Sequence, residues 1–220
     1  MAARPAGVRA AQAALARERA LITLLLLDLD EVLREFAPDA DVERAHRLPP
    51  GSLAATAFRP DLLTPAITGL VRHDRWLASV ADALTSEGVP ATAALAAVNA
   101  WSATGTVVPA ALTLVRAVRT RRRVALLTNA TTRLAADLTV LGLDREVDGV
   151  VSSAETGVAK PDPEAFLAAL AILGATRDET LFCDDSAANV AAATALGLAA
   201  AHVPDTDALR TALATHGLLG

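Results

Sequence analysis

The residues Leu21-Ile22-Thr23-Leu24-Leu25-Leu26-Leu27 run almost without polar interruption into Asp28, and Asp30 follows two positions later. A strand this apolar belongs in a sheet covered on both faces, so its exit is the first place where carboxylates can reach water. Side chains alternate along an extended chain, so Asp28 and Asp30 converge on one spot unless the backbone bends sharply between them. Two carboxylates about 4 Å apart repel by roughly 4 kcal/mol at an effective dielectric near 20. A compensating cation is therefore expected, and a metal ion is the simplest candidate.

After residue 103 helical and strand patterns alternate, which predicts an α/β fold: a Rossmann-like parallel sheet with helices on both faces. Val124–Leu127, Val147–Val151, Thr180–Cys183 and Ala199–Val203 read as strands. Thr131 is placed to cap a helix with Leu134, Leu138 and Leu141 on its apolar face, stopped by Gly142. Asp162 caps the next, with Pro163 at its first position, Phe166, Leu170 and Leu173 on one face and Gly174 at its end. An Ala-rich helix is expected from Ala187 to Leu196 and a last one from Thr206 to Thr215.

Between residues 34 and 103 this rhythm is absent. The segment reads as short helices, with Trp76, Val80 and Leu84 on one face and Leu95, Val98 and Trp101 on another. The expected organisation is an N-terminal tail over 1–20, a core built from 21–34 and 103–220, and an all-helical cap over 35–102 inserted after the first strand.

Each strand exit carries chemistry. The first gives Asp28 and Asp30; Leu126-Leu127-Thr128-Asn129 gives a hydroxyl, an amide and the free N–H groups of a helix start, a cradle for phosphate. Val158-Ala159-Lys160-Pro161 gives a cation, and Phe182-Cys183-Asp184-Asp185 two further carboxylates, followed by Asn189. Ligands of open α/β sheets bind at the carboxyl ends of the strands, so these sets are expected to meet. Singly, Asp-x-Asp, Thr-Asn and Asp-Asp are also ordinary turns or helix caps. Lys160 is less ordinary: it is the single lysine beside 19 arginines. A compact ammonium is not interchangeable with a guanidinium fork.

Taken together and in this order, the four motifs resemble those of the haloacid dehalogenase-like hydrolase superfamily, over roughly residues 21–215. The likeness is strongest to the branch with a small helical cap, in which the lysine motif has the form Lys-Pro-Asp-Pro-x-x-Phe, here Lys160-Pro161-Asp162-Pro163-Glu164-Ala165-Phe166. Asp184-Asp185 with Asn189 matches that branch's fourth motif, as in the phosphatase domain of soluble epoxide hydrolases.

The resemblance implies a Mg²⁺-dependent phosphatase of small phosphorylated metabolites that works through an aspartyl-phosphate. Asp28 would be the nucleophile. Asp30 would be the acid and base, with its backbone carbonyl on the metal. Thr128 and Asn129 would hold the phosphoryl group, and Lys160 would offset its charge. Asp185 would complete the metal site with Asp28, and Asp184 would ligate directly or lie hydrogen-bonded nearby. A site of carboxylates and one carbonyl suits Mg²⁺ rather than zinc, and the four histidines (His46, His73, His202, His216) have no ligand spacing.

Dehalogenase relatives lack an acid at the position of Asp30, and phosphonate-cleaving relatives use a cap lysine that is absent here. A phosphomutase shares every motif and is an alternative, as is a non-catalytic binding protein. The latter is motivated by Glu31, which stands where the family usually has Gly.

The net charge of −5 and the lack of a basic stripe interleaved with aromatics argue against a nucleic-acid surface. The run Arg119, Arg121, Arg122, Arg123 reads as a solvated helix end. No apolar run has the length of a membrane span. A lone cysteine, Cys183, excludes an internal disulfide and points to a reducing, cytoplasmic setting, with a monomer or homodimer expected. Cys183 itself reads as a buried strand residue. Within the cap, Arg72, His73, Arg75 and Trp76 offer two readings, a cluster facing the substrate or, in preference, a solvated helix start with Trp76 in the cap core.

Overall fold

The four leucines Leu24–Leu27 form β1, the middle strand of a five-stranded parallel sheet in a computed structural model that describes residues 21–219. The tail expected over 1–20 lies outside the described residues. The other strands are β4 (Arg123–Thr128), β5 (Gly149–Ser152), β6 (Thr180–Asp184) and β7 (Ala199–His202), in the order β5-β4-β1-β6-β7. In register, Leu27 of β1 faces Leu126 of β4 on one side and Cys183 of β6 on the other.

The leucines of β1 are at most 1% exposed, and their alternation feeds two separate cores. Leu25 and Leu27 pack with Leu114 and Val118 of α6 (Pro109–Arg119), Leu138 of α7 (Leu134–Leu141) and Leu209 and Leu213 of α11 (Thr206–Thr215). Leu24 and Leu26 pack with Phe166 and Leu170 of α9 (Pro163–Leu173), Ala193 of α10 (Ala187–Ala195) and Phe182. Phe166 and Phe182 meet edge to face, with centroids 5.2 Å apart. This is the doubly covered sheet that so apolar a strand requires.

Five helices form an insertion between β1 and α6: α1 (Asp39–His46), α2 (Ser52–Ala57), α3 (Pro60–Ile67), α4 (His73–Ser86) and α5 (Ala91–Trp101). A short antiparallel ribbon, β2 (Arg34–Glu35) with β3 (Thr106–Val107), ties the two ends of this insertion together. Its own core contains Leu53, Trp76, Val80, Leu84, Ala94 and Val98.

Several local signals act as read. The Asp162 carboxylate accepts from the Glu164 N–H at 2.9 Å at the start of α9, and Gly174 closes that helix with φ of 59°. Three readings need correction. Leu95 is 53% exposed; Val98 is buried as read, and Ala94 and Ala97 rather than Leu95 turn inward beside it. Small residues let α5 approach α4, so Leu95 falls outside the buried face that Val98 and Trp101 mark. Thr131 does not cap α7; Arg133 precedes that helix, and the Thr131 hydroxyl bonds His73. The strand read from Val147 begins only at Gly149, because the Asp148 carboxylate accepts from the Val124 N–H and from Arg119. No helix among the described residues is long and apolar enough to cross a membrane.

The insertion rests on the core through α3 and the turn after it, which face α8 (Ser153–Thr156). Gly69, with φ of 75°, would put a Cβ 2.1 Å from the Ala154 carbonyl oxygen, whereas one on Gly51 (φ of 80°) would meet nothing within 4 Å. Gly51→Ala is expected to cost about 1–2 kcal/mol from backbone conformation alone. Gly69→Ala is expected to cost distinctly more and to loosen the insertion from the core. Thermal unfolding with limited proteolysis of the insertion checks both.

Candidate active site

Pairing of β1 with β6 brings their exits side by side: the Asp28 N–H donates to the Cys183 carbonyl at 2.9 Å, so Asp28 stands next to Asp184. Asp28, Asp184 and Asp185 each offer a carboxylate oxygen, all within 4.8 Å of one another. Asp184 is fully buried and Asp28 nearly so.

Lys160 lies between them, its Nζ 2.9 Å from Asp28 Oδ1 and 2.7 Å from Asp184 Oδ2. Asn129, at the exit of β4, fixes it: Nδ2 donates to the Lys160 carbonyl at 2.7 Å, and Oδ1 accepts from the Lys160 N–H at 2.8 Å. Both ends of the Asn129 amide are thus used on the Lys160 main chain. Thr128 is buried at the end of β4. Asn189, on the first turn of α10, donates to both oxygens of Asp184 at 3.0 Å, and the Ser186 N–H donates to its Oδ1 at 2.8 Å.

One cation does not balance these acids. Burial, with help from Asp184 and Asp30 and against the pull of Lys160, pushes the Asp28 carboxyl up to about 7. Burial and Asp184 likewise raise the Asp185 carboxyl. Burial and Asp184 push the Cys183 thiol up to about 12, so it is a packed strand residue with no thiolate character. An all-oxygen trio with surplus negative charge is a set that could hold a hard divalent cation.

Asp30 stands beside this group, facing a cavity of about 540 Å³ between the insertion and the sheet. Two residues not singled out from sequence hold it. Arg34, 5% exposed, donates from Nε to Asp30 Oδ1 at 2.6 Å and from Nη1 to Asp137 Oδ2 at 3.2 Å. The available signals were the i, i+4 opposite charges of Asp30 and Arg34, and a carboxylate, Asp137, among the apolar positions of α7.

Asp137 also binds Arg133, whose Nη1 donates to the Ser102 carbonyl at 2.6 Å and hydroxyl at 2.7 Å. Ser102 lies 3.1 Å from His73 Nε2, and His73 Nδ1 lies 2.8 Å from the Thr131 hydroxyl. His73 is therefore a joint between insertion and core rather than a solvated helix start; burial and Arg133 lower its pKa and keep the ring neutral. Trp76 is in the insertion's core, as read, and also lines the cavity. Arg72, by contrast, is exposed and paired with Asp74.

Glu31 has φ of 60°, the left-handed conformation that glycine would adopt freely, and its N–H donates to the Arg34 carbonyl at 2.7 Å. The turn is made without glycine, at the expense of backbone strain. Left-handed strain of about 1–2 kcal/mol is opposed by about 0.4–1 kcal/mol of glycine entropy. Glu31→Gly is accordingly expected to unfold at the same temperature as the parent or slightly higher. A β-branched side chain at this φ is a steric outlier, so Glu31→Val should unfold several degrees lower.

Comparison with known proteins gives the family and the fold. A haloacid dehalogenase-like hydrolase family model matches residues 22–197. A sesquiterpene phosphatase of Aspergillus oryzae, astK, is 38% identical over 73 residues, a match spanning 33% of this chain and 36% of that protein. Among solved structures, a family enzyme of Bacteroides thetaiotaomicron in complex with magnesium and inorganic phosphate superimposes with a TM-score of 0.66 at 22% identity, covering 82% of this chain and 93% of the other. The defluorinating L-2-haloacid dehalogenase Rha0230 gives 0.61 at 20% identity, covering 82% and 80%. These structural likenesses speak for the fold, and the family match over most of the length for ancestry: the chain belongs to the haloacid dehalogenase-like hydrolases.

Proposed function

We propose that this hydrolase is a Mg²⁺-dependent phosphomonoesterase acting on a small phosphorylated substrate. The observation that carries the reading is the second acid, Asp30, held by Arg34 on the wall of the cavity, one residue removed from the buried Asp28–Lys160–Asp184 group. Transfer to a carboxylate needs a nucleophile, and release of an alcohol needs a proton donor beside it. The neighbouring magnesium–phosphate complex and the distant phosphatase relative point the same way.

In this reading Asp28 attacks phosphorus through a carboxylate oxygen, the P–O bond to the leaving group breaks, and Asp30 gives that oxygen its proton. Arg34 engages Asp30 Oδ1, which leaves Oδ2 for the transfer. The aspartyl-phosphate is then opened by a water whose proton returns to Asp30. Thr128 and the Asn129 backbone hold the phosphoryl oxygens, the Asn129 side chain being committed to Lys160. The Lys160 ammonium offsets the charge shared by Asp28 and the phosphoryl group. Asp28, Asp185 and the Asp30 carbonyl would hold Mg²⁺, with Asp184 as a further ligand or hydrogen-bond partner. The ion supplies charge neutralisation that lets a dianion approach a carboxylate.

Release of inorganic phosphate from an aryl phosphate, measured with Mg²⁺, tests this. EDTA is expected to abolish it, and Asp28→Asn to remove it while circular dichroism stays that of the parent. Asp30→Asn should lower turnover by about 10²–10⁴-fold, the usual worth of a positioned proton donor. Undiminished phosphate release by Asp28→Asn would overturn the assignment.

A further inference from the structure

The chain has six Phe and Trp residues and no Tyr, and four of the six, Phe36, Phe58, Trp76 and Trp101, line the cavity that Asp30 and Asn129 open onto. The other two, Phe166 and Phe182, pack beneath the sheet. Three of the cavity rings and His73 form a continuous strip. Phe58 to Trp101, Trp101 to Trp76, and Trp76 to His73 are 5.8, 5.8 and 5.7 Å apart between centroids. The strip runs inward from Phe58, 54% exposed at the rim, to Trp76, 6% exposed. The Trp101 indole N–H is spent on Asp39 Oδ1 at 2.7 Å.

Both guanidinium groups of the cavity wall are already engaged, while the Trp76 indole N–H is buried without a partner. Arg34 is bound by Asp30 and Asp137, and Arg133 by Asp137 and the Ser102 carbonyl. Four carboxylates on the wall (Asp30, Glu31, Asp39, Asp137) outnumber these two arginines. Among the described residues, a second phosphate or a carboxylate on the substrate would meet surplus negative charge and no unengaged guanidinium. Sugar hydroxyls would exchange water for ring faces. The rings meet at interplanar angles of 57–61°, as a strip and not as a box around one point, so a quaternary ammonium is not the shape they enclose. A cavity of this size with an aromatic strip along one wall suits an organic group of drug-like bulk.

We propose that this cavity is the leaving-group subsite and that the substrate is the monophosphate of an extended apolar alcohol, its chain laid along Phe58, Trp101 and Trp76 with the ester oxygen toward Asp30. The inference rests on the phosphomonoesterase reading, and the test separates the two. Acetyl phosphate with Mg²⁺ reports the chemistry alone; decyl phosphate, glucose 6-phosphate and phosphocholine report the subsite. Decyl phosphate is expected to exceed both other esters at least tenfold in kcat/KM. In Phe58→Ala, the ratio of kcat/KM for decyl phosphate to that for acetyl phosphate is expected to fall at least fivefold, chiefly through KM.

Turnover of acetyl phosphate with preference for the sugar or choline ester, or an unchanged ratio in Phe58→Ala, overturns the subsite and leaves the phosphomonoesterase standing. If neither acetyl phosphate nor any of the three esters is hydrolysed, the phosphomonoesterase reading fails, and intrinsic fluorescence decides the cavity. Both tryptophans line it, so titration with 1-decanol should change their emission saturably, and a flat titration overturns the subsite as well.

Discussion

The ammonium of Lys160 between Asp28 and Asp184 is the contact on which the rest of the arrangement depends. The register of β1 with β6, Leu27 against Cys183, forces two carboxylates together where both strands leave the sheet. A slip of one residue would turn the apolar set of β1 over and drag an acid into the core, so the register cannot relax to relieve the repulsion. Relief must come from a cation delivered to that point. The residue that delivers it is held by its main chain through Asn129 at the end of β4, on the other flank of β1. Three adjacent strands thus supply the clamp, one carboxylate and the remaining acids. The 19 arginines elsewhere offer no substitute here, because a point charge reaches both carboxylates from a space that is 1% exposed.

A second chain of charges runs from this centre to the insertion. Asp30, Arg34, Asp137, Arg133, Ser102, His73 and Thr131 are linked pair by pair, beginning after β1 and ending in the loop after β4. The chain passes through Ser102 and His73, one at each end of the helical pair α4–α5. The acid beside Asp28 and the seating of the insertion therefore share one network. Buried charges of this kind are costly to break singly, since each removal strands a partner. A neutral His73 fits its place, because a protonated ring would sit beside the Arg133 guanidinium.

The sheet was legible because its strands are apolar on both faces and because Asp162, Pro163, Gly174 and Gly142 punctuate helices in ways that follow from backbone chemistry. The converging motifs were legible for the same reason: strand exits in a parallel sheet point one way. What escaped was decided by partners distant in sequence. Thr131 offers a good cap, but His73 from the insertion takes its hydroxyl. Leu95 offers an apolar ridge, but two alanines allow closer packing. Arg34 and Asp137 are 103 residues apart and look like surface charge until the fold joins them.

Glu31 shows how such a site tolerates a residue that local rules disfavour. Its φ of 60° is set by the hydrogen bond from its N–H to the Arg34 carbonyl, and Arg34 is in turn fixed by Asp30 and Asp137. The turn is over-determined from outside, so it survives without glycine. The carboxylate that glutamate adds stands on an exposed residue, yet partial burial raises its pKa, with Asp185 and Asp30 adding to the shift. The consequence of the departure is therefore electrostatic more than geometric: one more negative charge at the edge of an acidic centre, next to a cavity whose arginines are already engaged. A site of this charge favours a divalent cation near the acids and disfavours any further anion on the group that fills the cavity.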